Sequence, residues 1–186
     1  MLGGSGRSSA RRAIVLDAAA IILGFTHIED ALAVTSSRVL EEARDREARY
    51  RALAAQESAL VKVMEPEPAY MEKVKEEARG LGEIELSEAD ISVLALALQL
   101  SKSGWDTCIL TSDYSIQNLA SRMGLKVKPI LHQGIREVIS WEVYCGACGW
   151  VGDGRPGELC PRCGHRLKRR PRRGEDEDKA DLGVCG

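Results

Sequence analysis

The sequence predicts an α/β fold with a mainly parallel sheet, followed by a small four-cysteine module at the C-terminal side. Two observations predict it. Short apolar runs alternate with stretches of helical composition from residue 13 to residue 131. Two Cys-x-x-Cys pairs then stand close together, at Cys145 and Cys148 and at Cys160 and Cys163.

Taken in order, residues 1–12 are Gly, Ser and Arg with little to bury, and read as a disordered basic arm. AIVL at residues 13–16 reads as a buried strand ending at Asp17. A short helix follows, stopped near Gly24. Residues 35–60 are charged and rich in Ala, Glu and Arg, which predicts a helix capped by Thr35 or Ser36. LVKVM at residues 60–64 alternates and reads as the second strand. Pro68 starts a helix that ends between Gly80 and Gly82. Ser87 caps the next helix, over residues 88–103, whose apolar residues on every side mark it as buried. TCILTS at residues 107–112 is a buried strand ending at Asp113. Residues 115–123 form a helix closed by Gly124. The strand at residues 125–131 contains Pro129, which suggests a sheet edge.

Ligands of such sheets bind beyond the carboxyl ends of the strands, a rule that selects Asp17 and Asp113. Asp90 and either Glu41 or Glu42 are further acidic candidates. Each has an ordinary reading as well. Asp17 suits a turn, and Asp113 an Asx turn opening a helix. Asp90 stands three residues after Ser87, the spacing of a capping box. Glu41 and Glu42 suit a solvated helix face. Together they describe a different object. Carboxylates packed against one another repel unless a cation lies between them. Hard oxygen donors suit Mg²⁺ or Mn²⁺, and such ions activate water for attack on phosphorus. The histidines, at positions 27, 132 and 165, are too dispersed to offer a rival mechanism.

The strand ending at Asp17, the helix start LSEADISVLALAL and the segment TSDYSIQNLA resemble PIN-domain ribonucleases. The succession of this domain and a four-cysteine ribbon is most similar to the Nob-type endonucleases, which mature small-subunit ribosomal RNA. The resemblance covers roughly residues 13 to 165. It implies a PIN-like three-layer domain whose metal-binding acids are Asp17, Asp90 and Asp113. VLEEARD, at residues 39–45, is similar to the family's Glu-containing helix, with Glu42 the better match and Glu41 the alternative. Thr111 matches a small hydroxyl common in such sites. It also implies cleavage leaving a 5′-phosphate and a 3′-hydroxyl, with precursor ribosomal RNA, the pre-small subunit and its assembly factors as partners. Many PIN domains place Ser or Thr after the first Asp; Ala18 and Ala19 stand here instead.

The cysteine spacing predicts one structural zinc, with iron the competitor. Gly149 and Gly164 follow the second cysteine of each pair and allow the chain to turn. Four thiolates leave no open coordination position, so this metal does no chemistry. Cys108 reads as a small buried residue, and Cys185 receives no role. Residues 162–173 hold seven Lys or Arg and no acid, a phosphate footprint. Arg162, Arg166, Lys168, Arg169 and Arg170 are the RNA-binding candidates, with Trp150 and His165 as base-stacking candidates.

The expected boundaries are a PIN-like domain over residues 13–131, a linker at 132–140, a zinc ribbon at 141–167 and a basic then acidic disordered tail at 168–186. No apolar run reaches the ~18 residues of a membrane span, and Asp17 interrupts the one signal-like stretch. The expectation is a cytoplasmic protein with no membrane partner. Two rival functions are a toxin-type PIN ribonuclease acting on transfer RNA and a non-catalytic RNA-binding assembly factor.

Overall fold

A computed structural model of the chain describes residues 11–26, 28–44, 60–83, 86–131, 134–135 and 137–172. Residues 1–10 of the expected basic arm, most of the predicted 35–60 helix and the acidic tail lie outside these residues, while Arg12, expected in the arm, opens the first strand.

The sheet has five parallel strands in the order β3-β2-β1-β4-β5. They are β1 (Arg12–Leu16), β2 (Leu32–Thr35), β3 (Lys62–Val63), β4 (Asp106–Thr111) and β5 (Lys126–Pro129). The helices are α1 (Ala18–Ile22), α2 (Ser37–Arg44), α3 (Pro68–Leu81), α4 (Glu88–Lys102) and α5 (Tyr114–Arg122). After its first residue each of the central strands β1 and β4 is buried throughout, which requires cover on both faces of the sheet. The apolar residues Ile14, Val15, Leu16, Ile109 and Leu110 meet Leu94 and Leu96 of α4 in one core.

β2 was not expected. ALAVT, at residues 31–35, is the strand, and the helix starts only at Ser37. Thr35 is therefore not a cap: its hydroxyl donates to the Leu16 carbonyl at 2.9 Å, tying β2 to β1. Ser36 takes the capping role, accepting from Val39 N at 3.4 Å, and its hydroxyl also meets that of Ser92 at 2.6 Å. That contact fixes the start of α2 against the first turn of α4. Residues 62–63, read as the second strand, form the third.

The chain runs outward from β1 through β2 to β3, then returns to the other side of β1 with β4. The strand order reverses between β1 and β4, and crevices form at such reversals. The α4 helix is fixed by a complete capping box between Ser87 and Asp90.

Beyond the sheet, β6 (Trp141–Cys145) and β7 (Leu167–Pro171) pair antiparallel. β7 corrects one expected boundary. Residues 168–171 are a strand of the ribbon rather than the start of a disordered tail. Ile135 and Ile139 are held on the sheet domain by side-chain amides. Asn118 bonds both the N–H and the carbonyl of Ile139, at 2.7 and 2.8 Å, and Gln117 accepts from Ile135 N. Among the described residues, no helix is long and apolar enough to cross a membrane.

Candidate active site and metal centre

Asp17 leaves β1 and caps α1. Its Oδ1 accepts from Ala20 N at 2.6 Å and its Oδ2 accepts from the Thr111 hydroxyl at 2.5 Å. Thr111, the last residue of β4, is fully buried and accepts in turn from Asp113 N at 2.9 Å. One hydroxyl thus ties together the two strand ends at the reversal point. Asp113 caps α5, its Oδ1 accepting from Ser115 N and Ile116 N. Asp90, in the first turn of α4, uses Oδ2 to accept from Ser87 N at 2.8 Å. The Ser87 hydroxyl reaches Glu42 Oε2 at 3.4 Å, which brings α2 to the same place. Glu42, rather than Glu41, makes this link.

All three aspartates are caps, as the ordinary reading had it. They also lie near enough to feel one another's charge, although among the described residues it is the four cysteines, not these acids, that bring three or more ligand atoms within 4.8 Å of one another. Burial raises the pKa of Asp17 above its ordinary value, and the charges of Asp113 and Asp90 raise it further, against the lowering bonds from Thr111 and Ala20. Burial likewise raises Asp90; Ser87 opposes it, while Asp113 and Glu42 add to it. Among the described residues no Lys or Arg pairs with any of the four acids. Capping occupies one oxygen of Asp113 and one of Asp90, and leaves the other free of hydrogen bonds among the described residues. Uncompensated carboxylates with spare oxygens are the donor set a hard divalent cation takes. Ser87 and Ser36 were not singled out as site residues from the sequence. Ser87 was read only as a cap, and the structure shows it also positions Glu42.

The four cysteine sulfurs lie within 4.8 Å of one another. Cys145 Sγ is 3.4 Å from Cys163 Sγ, and Cys148 Sγ is 3.7 Å from Cys160 Sγ. A tetrahedron with Zn–S bonds of ~2.3 Å has edges of about 3.8 Å, so the sulfurs fit zinc. The two knuckles are built alike. Gly149 N donates to Cys145 O and Gly164 N to Cys160 O, both glycines at positive φ. Backbone N–H groups of Cys148 and Ala147 lower the Cys145 thiol to about 6. His165 N–H lowers Cys163, but the thiols of Cys148 and Cys145, burial and Cys160 prevail and push it up to about 12. Four thiolates cannot coexist there without a cation. Cys108 is buried in β4 and disulfide-bonded, so it is more than the small buried residue the sequence suggests.

The basic candidates fall on the ribbon. Arg162, Arg166 and Lys168 are exposed, and Arg166 Nη1 bonds Gly157 O at 3.0 Å. Arg169 and Arg170 are half-buried and already engaged. Arg169 lies 4.3 Å over the Trp141 ring. Arg170 lies 4.3 Å over Tyr144 and pairs with Glu142 at 2.6 Å. Trp150 packs against the cysteine cluster and Leu167, so it belongs to the ribbon core. His165 is exposed, its Nδ1 3.8 Å from Cys163 Sγ. A network invisible in the sequence lies beside the ribbon. Buried Glu83 accepts from Asn118 Nδ2 at 2.7 Å and from Trp141 Nε1 at 3.0 Å. Nothing local in the sequence signals it, because its members come from three distant segments.

A five-stranded parallel sheet with acids at its strand reversal is the architecture of a PIN domain, and the family model described as the PIN domain of ribonuclease matches residues 14–100. The chain is 40% identical over 162 residues to Endoribonuclease Nob1 of Pyrococcus abyssi, covering 86% of this chain and 94% of that one. It is 33% identical over 166 residues to Endoribonuclease Nob1 of Methanocaldococcus jannaschii, covering 88% and 80%. It is also 40% identical over 127 residues to Ribonuclease VapC3 of Aeropyrum pernix, covering 68% and 91%. The chain belongs to the archaeal Nob1 endoribonuclease family of PIN-domain proteins.

Proposed function

We propose that this chain is a metal-dependent endoribonuclease that cuts precursor small-subunit ribosomal RNA near its mature 3′ end. Its setting would be the cytoplasm, on the pre-small subunit with assembly factors. The carrying observation is the meeting of Asp17, Asp90 and Asp113 at the β1/β4 reversal with no cationic partner among the described residues. A Mg²⁺ or Mn²⁺ ion held by these residues, with Glu42 as the fourth acid, supplies Lewis acidity toward the phosphodiester and toward water.

The chain's own groups do the positioning. Asp17 is held at both oxygens, so its direction is set before any cation arrives. Thr111 keeps it there and fixes Asp113 at the same time. Asp90 and Asp113 each offer an oxygen that capping leaves spare. The ribbon, with one zinc on Cys145, Cys148, Cys160 and Cys163, carries the exposed Arg162, Arg166 and Lys168 toward phosphate.

The 40% identity to Ribonuclease VapC3 supports a second reading, a toxin-type ribonuclease acting on transfer RNA. That alignment spans 127 residues against 162 and 166 for Nob1 of P. abyssi and M. jannaschii, but Ribonuclease VapC1 of Thermoplasma acidophilum aligns over 156, so alignment length does not separate the readings. One experiment separates the readings. The zinc-loaded protein is incubated with Mn²⁺ and either precursor small-subunit RNA or transfer RNA, and the new ends are mapped. The proposal expects a cut near the mature 3′ end with a 5′-phosphate, abolished by Asp17→Asn while RNA affinity persists. Cleavage of transfer RNA alone would favour the toxin-type reading. Cleavage undiminished in Asp17→Asn would remove the acidic site from the mechanism.

A further inference from the structure

Between the last turn of α3 and the ribbon lies a cleft of about 580 Å³. This falls within the ~300–1,000 Å³ range of small-ligand sites. It is lined by Arg79 of α3, Trp141 and Glu142 of β6, loop residues 151–154, Arg169 of β7 and Arg172 just beyond it.

The cleft is fixed by the fold. Gly82 ends α3 at φ 73, and a Cβ there would lie 2.5 Å from the Trp141 carbonyl oxygen. The sheet domain and the ribbon therefore touch backbone to backbone along its lining. The Trp141 indole is also held by buried Glu83. A Cβ at Gly152, another lining residue, would lie 2.6 Å from the Trp150 ring, so the loop packs closely on the ribbon core.

Arg79, Arg169 and Arg172 line the cleft together with Glu142 and Asp153, and Glu142 pairs with Arg170 at 2.6 Å. The exposed Arg79 side chain is anchored through Nε to the Lys75 carbonyl at 3.1 Å. Its terminal nitrogens have no acceptor among the described residues. The Arg169 guanidinium carbon lies over the Trp141 ring, 4.3 Å from its centroid, an aromatic–cation pair at the cleft.

Guanidinium groups in a fixed position match phosphate oxygens in pairs. An aromatic–guanidinium stack suits the face of an unpaired base. We infer that this cleft holds an unpaired ribonucleotide of the substrate strand, its phosphate on Arg79 and its base on the Trp141–Arg169 stack. The inference rests on the endoribonuclease reading for its choice of RNA, and it adds a contact on α3, outside the basic run of the ribbon. A duplex keeps its bases stacked on one another and cannot offer one to the cleft.

The probe is a single-stranded oligoribonucleotide carrying 4-thiouridine, bound to the full zinc-loaded chain, with crosslinks mapped by mass spectrometry. Crosslinks are expected on Trp141 or the adjoining residues of the cleft, in the Asp17→Asn protein as well. Arg79→Gln is expected to weaken single-strand affinity several-fold and to flatten the slope of log affinity against log salt by about 0.7. Affinity for a duplex of the same sequence should hold. Arg79 is exposed, so the variant should melt as the parent does, and Arg79→Lys should restore the salt slope but only part of the affinity. Unchanged single-strand affinity and slope in Arg79→Gln would overturn the inference. So would crosslinks confined to residues 160–168, or an equal loss of duplex binding. Failure of the nuclease reading shows separately, as cleavage that survives Asp17→Asn.

Discussion

Replacing Thr111 with Val isolates the bond that ties the two strand ends together. The hydroxyl is fully buried; it donates to Asp17 and accepts from Asp113 N. A hydrogen bond to a charged group contributes about 1.5–3 kcal/mol, and an orphaned N–H costs about 1 kcal/mol at a half-exposed site. The added methyl returns up to ~0.8 kcal/mol by burial. The metal-free protein should lose roughly 2–3 kcal/mol near neutral pH, or about 4–12 °C in Tm for a chain of this size.

The sign of the pH dependence follows from Asp17, whose pKa is raised in the fold. In metal-free protein this group weakens folding as pH climbs from the ordinary carboxylate value through the raised one. Without Thr111 one lowering contact is gone, so the pKa rises further. The stability gap between parent and variant should be full well above the raised pKa and shrink as pH falls below it, where Asp17 takes up a proton in both. Thermal melts on the two sides of that pKa, with Thr111→Ser as rescue, make the assay. An equal gap at both, or a gap undiminished in the Asp17→Asn background, would refute the coupling.

Three further outcomes are expected. Mn²⁺ binding should release protons, because the raised Asp17 and Asp90 must ionise to hold it. The Tm gain at fixed Mn²⁺ should therefore be larger at about pH 7 than at about pH 5, measurable by calorimetry in buffers of different ionisation enthalpy. Gly82→Ala should cost at least ~1–2 kcal/mol from the left-handed backbone alone, with more from the Trp141 contact, read as a lower Tm with weakened amide protection at residues 139–141. Removing zinc should melt the β6–β7 hairpin and expose Cys145, Cys148, Cys160 and Cys163 to thiol reagents, while the sheet domain keeps its own cooperative transition.

The sequence carried the sheet domain wherever an element announced itself locally. Ser87, Gly82 and Gly124 stop or start helices through their own backbone or hydroxyl, so those ends were readable. β2 was not, because ALAVT runs into Ser36 without a turn residue, and a threonine before a helix looks like a cap. Only its pairing with β1 shows that the Thr35 hydroxyl turns to Leu16 instead. Asp90 teaches a related point. Its spacing from Ser87 supports capping and says nothing against a second role; the structure shows the capping bond using one oxygen only. The basic run was legible as charge, yet the strand register decides which charges are already engaged, and it turns Arg169 and Arg170 onto Trp141 and Tyr144. The Glu83–Asn118–Trp141 network joins segments too far apart for any spacing rule.

A crystal grown with Mn²⁺, with data collected for the anomalous signal of manganese, addresses the four acids most directly. The account expects a peak at about 2.1–2.4 Å from carboxylate oxygens of at least two of Asp17, Asp90 and Asp113, with Glu42 alongside and zinc on the cysteines. A well-ordered site with no peak there, or manganese on a single one of these residues, would contradict it.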